Sequence, residues 1–241
     1  MLALPYAAYA LTLFVAVALL ALLLILPLGS LRARRRVVRA AARIALGLAG
    51  MRLHLLHAER LPDGPCVVVA NHASYLDGVV LKAALPARFA FVIKREMNDV
   101  PLAGLLLRRI GAEFVDRGKG QRGARDARRV LKAASSGASL AFFPEGTFES
   151  TPGLLRFHSG AFVTAVRNGY PVVPLVIRGT RRALPPVRPW PRPGVIEIEV
   201  LPAITAQATS ADHATVELRR RARAVMLERL GEPDLNPDDH A

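Results

Sequence analysis

A chain of 241 residues is long enough for one α/β domain with a real core. It carries 33 Lys and Arg against 19 Asp and Glu, a formal net charge of +14, which narrows its partners to anionic ones: lipid headgroups, the phosphates of coenzyme A, an acidic carrier protein or nucleic acid. The lone cysteine, Cys66, excludes an internal disulfide and reads as a small buried residue in a reducing compartment.

Residues 2–29 are apolar and carry no charge. A helix of about 20 apolar residues crosses a bilayer, so this run predicts a transmembrane or embedded helix. A secretory leader is the competing reading. The length of the run and the lack of a preceding Lys or Arg disfavour it. Arg32, Arg34, Arg35, Arg36, Arg39 and Arg43 follow at once. Basic residues flank the cytoplasmic side of a membrane segment, which predicts that the rest of the chain lies on the cytoplasmic face. From 36 to 56, Val37, Val38, Ala41, Ile44, Ala45 and Leu48 recur at helical spacing with arginines opposite. The pattern fits a helix lying apolar side down on a membrane, and equally a helix packed on the domain. His54 and His57, near the end of that stretch, have no Cys or acidic companions and are expected to be solvated or packed, not metal-bound.

Cys66 to Ala70 is an apolar run that reads as a strand. Asn71-His72-Ala73-Ser74-Tyr75-Leu76-Asp77 follows it, at a strand end, where α/β sheets carry their sites. His72 can take a proton from a hydroxyl. Asp77 can hold the other ring nitrogen and so fix tautomer and orientation. Asn71 and Ser74 read as residues that cap and brace the turn. Further strands are predicted at 89–93, 113–115, 139–143, 172–177 and 195–200, the last alternating as a half-exposed or edge strand does. Helices are predicted at 76–84, 102–109, 122–135, 161–168 and 214–230. Strands separated by helices predict an α/β fold with a largely parallel sheet flanked by helices.

The strand at 139–143 runs into a second motif, Phe143-Pro144-Glu145-Gly146-Thr147. Proline ends the strand, and glycine lets a ligand approach the backbone between a carboxylate and a hydroxyl. Residues 185–193 are proline-rich and predict a stiff surface loop, with Trp190 either dipping into lipid or packed on the domain. Three segments result. Residues 1–56 hold the membrane helix and the basic helix, 57–230 a catalytic domain, and 231–241 a short acidic tail without fixed structure.

The two motifs together resemble the glycerolipid acyltransferase family, best known for the 1-acylglycerol-3-phosphate acyltransferases. Four ordered blocks carry the resemblance, from about residue 60 to about residue 205. They are Asn71-His72 through Asp77, Gly111-Ala112-Glu113-Phe114-Val115-Asp116-Arg117, Phe143 through Thr147, and Val172-Val173-Pro174-Leu175-Val176. The resemblance implies that His72 deprotonates the acceptor hydroxyl and that Asp77 orients it. It implies that Arg117 grips the acceptor phosphate, that Glu145, Gly146 and Thr147 shape the acceptor site, and that Pro174 lies near the acyl donor. The donor would be an acyl-CoA or acyl carrier protein thioester, with no further cofactor and no metal. The acceptor would be 1-acylglycerol-3-phosphate, the product phosphatidic acid, and the setting phospholipid biosynthesis at an anionic membrane surface.

One departure bears on the acceptor. Many members of the family have an arginine directly after Glu-Gly-Thr, and this chain has Phe148. Either Arg156 or Arg178 takes over the phosphate, since a guanidinium grips it from several directions, or the acceptor is another lysophospholipid or an amino-acid-containing lysolipid. Two other classes compete. One is a hydrolase, with water activated at His72 or at a metal on His72, Asp77 and Glu145. The other is a non-catalytic, membrane-anchored lipid-binding module. Nucleic acid fits the charge but finds no zinc-finger spacing or RNA-binding aromatic motif, so no nucleic-acid partner is expected.

Overall fold

The computed structural model describes residues 3–116, 121–187, 190–207 and 210–236. The chain opens with two helices, α1 (Ala3–Ile25) and α2 (Leu31–Leu48). Then come β1 (Met51–Leu56), β2 (Val67–Ala70), α3 (Asp77–Ala84), β3 (Phe89–Lys94), α4 (Ala103–Arg109) and β4 (Glu113–Val115). The second half runs α5 (Gln121–Ser135), β5 (Ser139–Phe142), α6 (Gly160–Asn168), β6 (Val172–Arg178), α7 (Thr180–Ala183), β7 (Gly194–Val200) and α8 (Ala211–Leu230). The strands form one sheet in the order β1-β7-β6-β2-β5-β3-β4. Five of them, β6, β2, β5, β3 and β4, are mutually parallel, while β7 meets β6 antiparallel and β1 parallel. The expected largely parallel α/β sheet is therefore present.

Helices cover both faces, which is why the central strands read as unbroken apolar runs. Alternate residues of one strand serve different layers. Val68 and Ala70 of β2 pack with Leu46 of α2 and Val80 and Leu81 of α3. Val67 and Val69 pack with Phe162 of α6 and Leu218 and Met226 of α8. All of β2 is buried, so its carboxyl end meets solvent only at the residues that follow it.

The N-terminal third differs from expectation in one element. The helix read as continuing to 56 stops at Leu48, and residues 51–56 are strand β1. Gly50 supplies the reversal with φ +66, and the alternating burial of Met-Arg-Leu-His-Leu-Leu is that of an edge strand. One sheet edge is thus β1, and β7, expected to be half-exposed or at an edge, lies between β1 and β6, exposed at Gly194 and Val195 and buried at Ile198, Glu199 and Val200. A boundary at 56 would therefore cut a strand from its sheet.

Three of the six arginines of α2 are absorbed by the fold. Arg35, 8% exposed, donates to the carbonyls of Ile110, Arg88 and Gly111. Arg39 donates to Ala83 and Ala84 at the end of α3, and Arg34 to Arg109 at the end of α4. Helix C-termini leave carbonyls unpaired and carry partial negative charge, which cations satisfy. α2 packs on the domain through these caps and through Val38, Ala45 and Leu46.

α1 lies along α2 in the opposite sense. Tyr6 donates its hydroxyl to Ala49 and Tyr9 to Leu48, while Ile25, at the other end, packs with Val38. Its 22-residue stretch Leu4–Ile25 is long and apolar enough to cross a membrane. The outer face, including Leu4, Leu11, Leu19, Leu20 and Leu23, stays exposed. At the other terminus, the tail expected to lack structure from 231 instead docks on the domain through Asn236. Leu154 pairs with Asp234, and Arg223 forms an ion pair with Asp234. Asp234, one of the acidic residues that suggested disorder, is a ligand of a buried arginine. Residues 237–241 lie outside the described residues.

Candidate active site

The carboxyl ends of three adjacent strands, β6, β2 and β5, carry the site. β2 ends at Ala70, and Asn71 continues its pairing with a side chain. Asn71 Oδ1 accepts from the Ile177 amide at 2.7 Å, and its Nδ2 donates to the Ile177 carbonyl at 3.0 Å. The chain can then turn away from the sheet while remaining tied to β6. Ser74 fixes the turn by donating to the Leu184 carbonyl and accepting from the Leu76 amide.

Asp77 opens α3, where the helix dipole favours a negative charge. It is fully buried. Its Oδ2 lies 2.8 Å from His72 Nδ1 and accepts from the amides of Ala73 at 2.6 Å and Ser74 at 2.8 Å. Its Oδ1 has no partner among the described residues. With a carboxylate on Nδ1, the imidazole carries its proton there, and Nε2 keeps its lone pair. The His72 side chain is 18% exposed, while the Asp77 side chain that anchors it is fully buried.

Two phenylalanines frame that ring. Phe143 stacks on His72 with centroids 4.3 Å apart and planes 20° apart. Phe148 meets it edge-on at 4.5 Å, and Tyr75 packs edge-on against Phe148 at 4.8 Å. The aromatic frame was not drawn from the sequence, although Phe143 and Tyr75 lie inside the two motifs and Phe148 directly follows the second.

Pro144 and Glu145 form a turn after β5, closed by Gly146 donating to the Phe143 carbonyl at 3.1 Å. Proline suits the second position of such a turn, and Gly146 takes φ +78, a conformation that favours glycine. Glu145 is 3% exposed and points inward. Its Oε1 accepts from the His72 amide at 2.6 Å and its Oε2 from the Leu155 amide at 2.9 Å. Burial pushes the Glu145 carboxyl up to about 8, against the two N–H groups, which favour the carboxylate. Glu145 therefore ties the His72 backbone to the loop that follows the second motif.

The remaining sequence-predicted residues divide. Gly146 is half-buried and Thr147 exposed beside the motif. Pro174 is buried inside β6, in register with Val69; its carbonyl accepts from Leu201, so the missing N–H falls where the β6–β7 ladder ends. Arg178 is committed to Glu197 at 3.0 Å and Glu199 at 3.1 Å. Arg156 is exposed and follows Leu155. Arg117 lies outside the described residues. A further cation that the sequence did not single out, Arg181 of α7, reaches back to the carbonyls of Glu149 and Ser150 at 2.7 and 3.2 Å. Among the described residues, no group of three His, Cys, Asp or Glu side chains is placed to hold a metal ion.

The chain is similar to several known proteins. It is 30% identical over 220 residues to the 1-acyl-sn-glycerol-3-phosphate acyltransferase of Pseudomonas aeruginosa, covering 86% of this chain and 82% of that one. It is 35% identical over 129 residues to a chloroplastic 1-acyl-sn-glycerol-3-phosphate acyltransferase of Brassica napus, covering 53% of this chain but only 37% of that longer relative. Its fold matches the crystal structure of the 1-acyl-sn-glycerophosphate acyltransferase of Thermotoga maritima with a TM-score of 0.77 at 21% identity, over 93% of this chain and 95% of that one. Residues 52–178 match the acyltransferase family model, and this span begins in β1, holds His72, Asp77 and Glu145, and ends with β6. The chain belongs to the acyltransferase family.

Proposed function

We propose that this protein transfers a fatty acyl group from a thioester to the free hydroxyl of 1-acylglycerol-3-phosphate, giving phosphatidic acid. The observation that carries the reading is the contact between buried Asp77 and Nδ1 of a partly exposed His72. It leaves Nε2 as the proton acceptor at the surface of the site. The acceptor hydroxyl gives its proton to Nε2 as its oxygen attacks the thioester carbonyl. Asp77 stabilises the imidazolium. When the tetrahedral intermediate collapses, the C–S bond breaks, the thiolate leaves and the imidazolium returns its proton to it. The ester product keeps the acyl group. Thiolate is a good leaving group, and the scheme requires no metal. The donor is an acyl-CoA or an acyl carrier protein thioester. The names of the relatives support the acceptor.

The same reading places the outer face of α1 in lipid, with the domain at the cytoplasmic face. An embedded helix is favoured over a single pass. α1 lies along α2, and a perpendicular α1 would carry exposed Arg32, Arg36 and Arg43 into hydrocarbon at about 3 kcal/mol each. With Phe148 after the second motif, the phosphate is assigned to Arg156, which is exposed at the end of that loop. Incubation of the purified protein with labelled acyl-CoA and lysophosphatidic acid tests the reading. Phosphatidic acid should form, and His72→Ala should cut the rate about 10⁴-fold. Wild-type turnover by His72→Ala would overturn it.

A further inference from the structure

The loop after the second motif has no regular secondary structure, yet almost every backbone polar group near its end is held from outside. The Gly153 amide donates to Glu232 Oε2 at 2.7 Å, and the Leu154 amide to the Pro233 carbonyl at 3.0 Å. The Leu154 carbonyl accepts from the Leu235 amide at 3.2 Å and from Arg223 at 3.1 Å. Arg223 also donates to the Leu155 carbonyl at 3.2 Å and is clamped by both oxygens of Asp234. The Leu155 amide donates to Glu145. Of the groups from the Gly153 amide to the Leu155 carbonyl, one is held by the site and four by Arg223 and the segment from Glu232 to Leu235. Glu232 also meets Arg181, whose other arm holds the start of the same loop.

Packing adds to the polar contacts. Gly153 has φ +146, and a Cβ there would fall 2.4 Å from Leu235 Cγ. The loop and the C-terminal segment therefore meet where only a glycine fits. Arg223 is nearly buried, with 3% side-chain exposure, so its pairing with Asp234 is little screened by solvent.

We propose that residues 232–235, clasped by Arg223, form a strap that positions the acceptor side of the His72 site. The loop begins at Phe148, which touches the catalytic ring, and reaches Leu155, which Glu145 ties to the His72 backbone. Its next residue is Arg156, the exposed cation to which the proposed function gives the acceptor phosphate. The strap fixes the peptide directly before that cation. Glu232, Asp234 and Leu235 are positioning residues. They act on the acceptor through the loop, not by touching it. The inference rests on the lysolipid acyltransferase reading.

The test is steady-state kinetics of the full chain with acyl-CoA and lysophosphatidic acid, varying each substrate in turn. Asp234→Asn removes the clamp on Arg223, and Asp234→Glu restores a carboxylate. Glu232→Gln, at a more exposed position, loosens the strap without stranding a buried arginine. The expected result is an acceptor KM raised about 3- to 10-fold in Asp234→Asn and Glu232→Gln, with kcat and donor KM within twofold and partial return in Asp234→Glu. A merely structural strap would lower the active fraction, so kcat would fall with both KM values unchanged, and that result overturns the proposal. So does an unchanged acceptor KM. If Asp234→Asn does not fold, Glu232→Gln alone decides between these outcomes. Wild-type protein that acylates no lysolipid would instead remove the functional reading beneath the strap.

Discussion

The two sides of the His72 ring are built in opposite ways. The side proposed to handle the proton is local: the residues from Asn71 to Asp77 supply the proposed base, its orienter and the turn, and one carboxylate oxygen gathers three donors from within them. The acceptor side is assembled from afar. Its loop is held by Arg181, Arg223 and the C-terminal segment, none near it in sequence. The proposed base and its orienter come from one short stretch, while the proposed acceptor loop takes its shape from other parts of the chain.

The sharpest way to break the local half is Asp77→Asn. The asparagine oxygen can still accept from Ala73 and Ser74, so the turn should survive. That same oxygen also meets Nδ1, so the tautomer is kept and what is lost is the negative charge that stabilises the imidazolium. The expected loss is about 10³-fold in kcat with little change in the unfolding midpoint. Retained turnover would mean that Asp77 only caps α3.

This division also explains what could be read in advance. The sheet, its parallel core and the pair His72 and Asp77 follow from apolar runs and one contiguous motif, and the structure brings them together. Two signals misled. The end of the basic stretch, Met51 to Leu56, continued an apparent helix until Gly50 broke it, and its strand character depends on a partner, β7, that lies far along the chain. The arginines of α2 fitted a helix on a membrane and a helix on the domain equally, because the carbonyls that absorb Arg35 and Arg39 belong to α3, α4 and the residue before β3, invisible in a local pattern. The acidic tail read as unstructured for the same reason: Asp234 makes sense only beside Arg223.

Glu145 joins the two halves, and Glu145→Gln should have an intermediate effect. A glutamine can satisfy only one of the two amides, leaving the other facing an NH2 group, at a cost of about 1–3 kcal/mol. Activity should fall about tenfold. The pH dependence gives a second readout. The folded carboxyl sits near 8 and the unfolded one at its ordinary 4.5, so between these values the unfolded state binds fewer protons. Wild-type stability should therefore fall as pH rises through that window, at no more than about 1.4 kcal/mol per pH unit, while the glutamine makes no such contribution. Denaturant unfolding of both proteins from pH 5 to 8 should show the difference between them shift against the wild type. A shift the other way would mean that the two amides outweigh burial and keep Glu145 ionised.

The smallest effect probes the acceptor half where it touches the local one. Phe148→Arg places an arginine directly after Glu145-Gly146-Thr147 and removes the edge contact to His72 and the packing on Tyr75. Two consequences oppose each other. A guanidinium beside the site adds a grip for a phosphate, which lowers the KM for lysophosphatidic acid. The same charge beside the imidazole disfavours the imidazolium, which lowers kcat. Each change should be about two- to fivefold, so kcat/KM for lysophosphatidic acid moves little while its ratio to that for a lysophospholipid with a bulky, zwitterionic headgroup rises. An acceptor panel with labelled acyl-CoA measures that ratio directly. If it stays fixed while kcat falls, position 148 belongs with the proton-handling half, and acceptor choice lies wholly in the strapped part of the loop around Arg156.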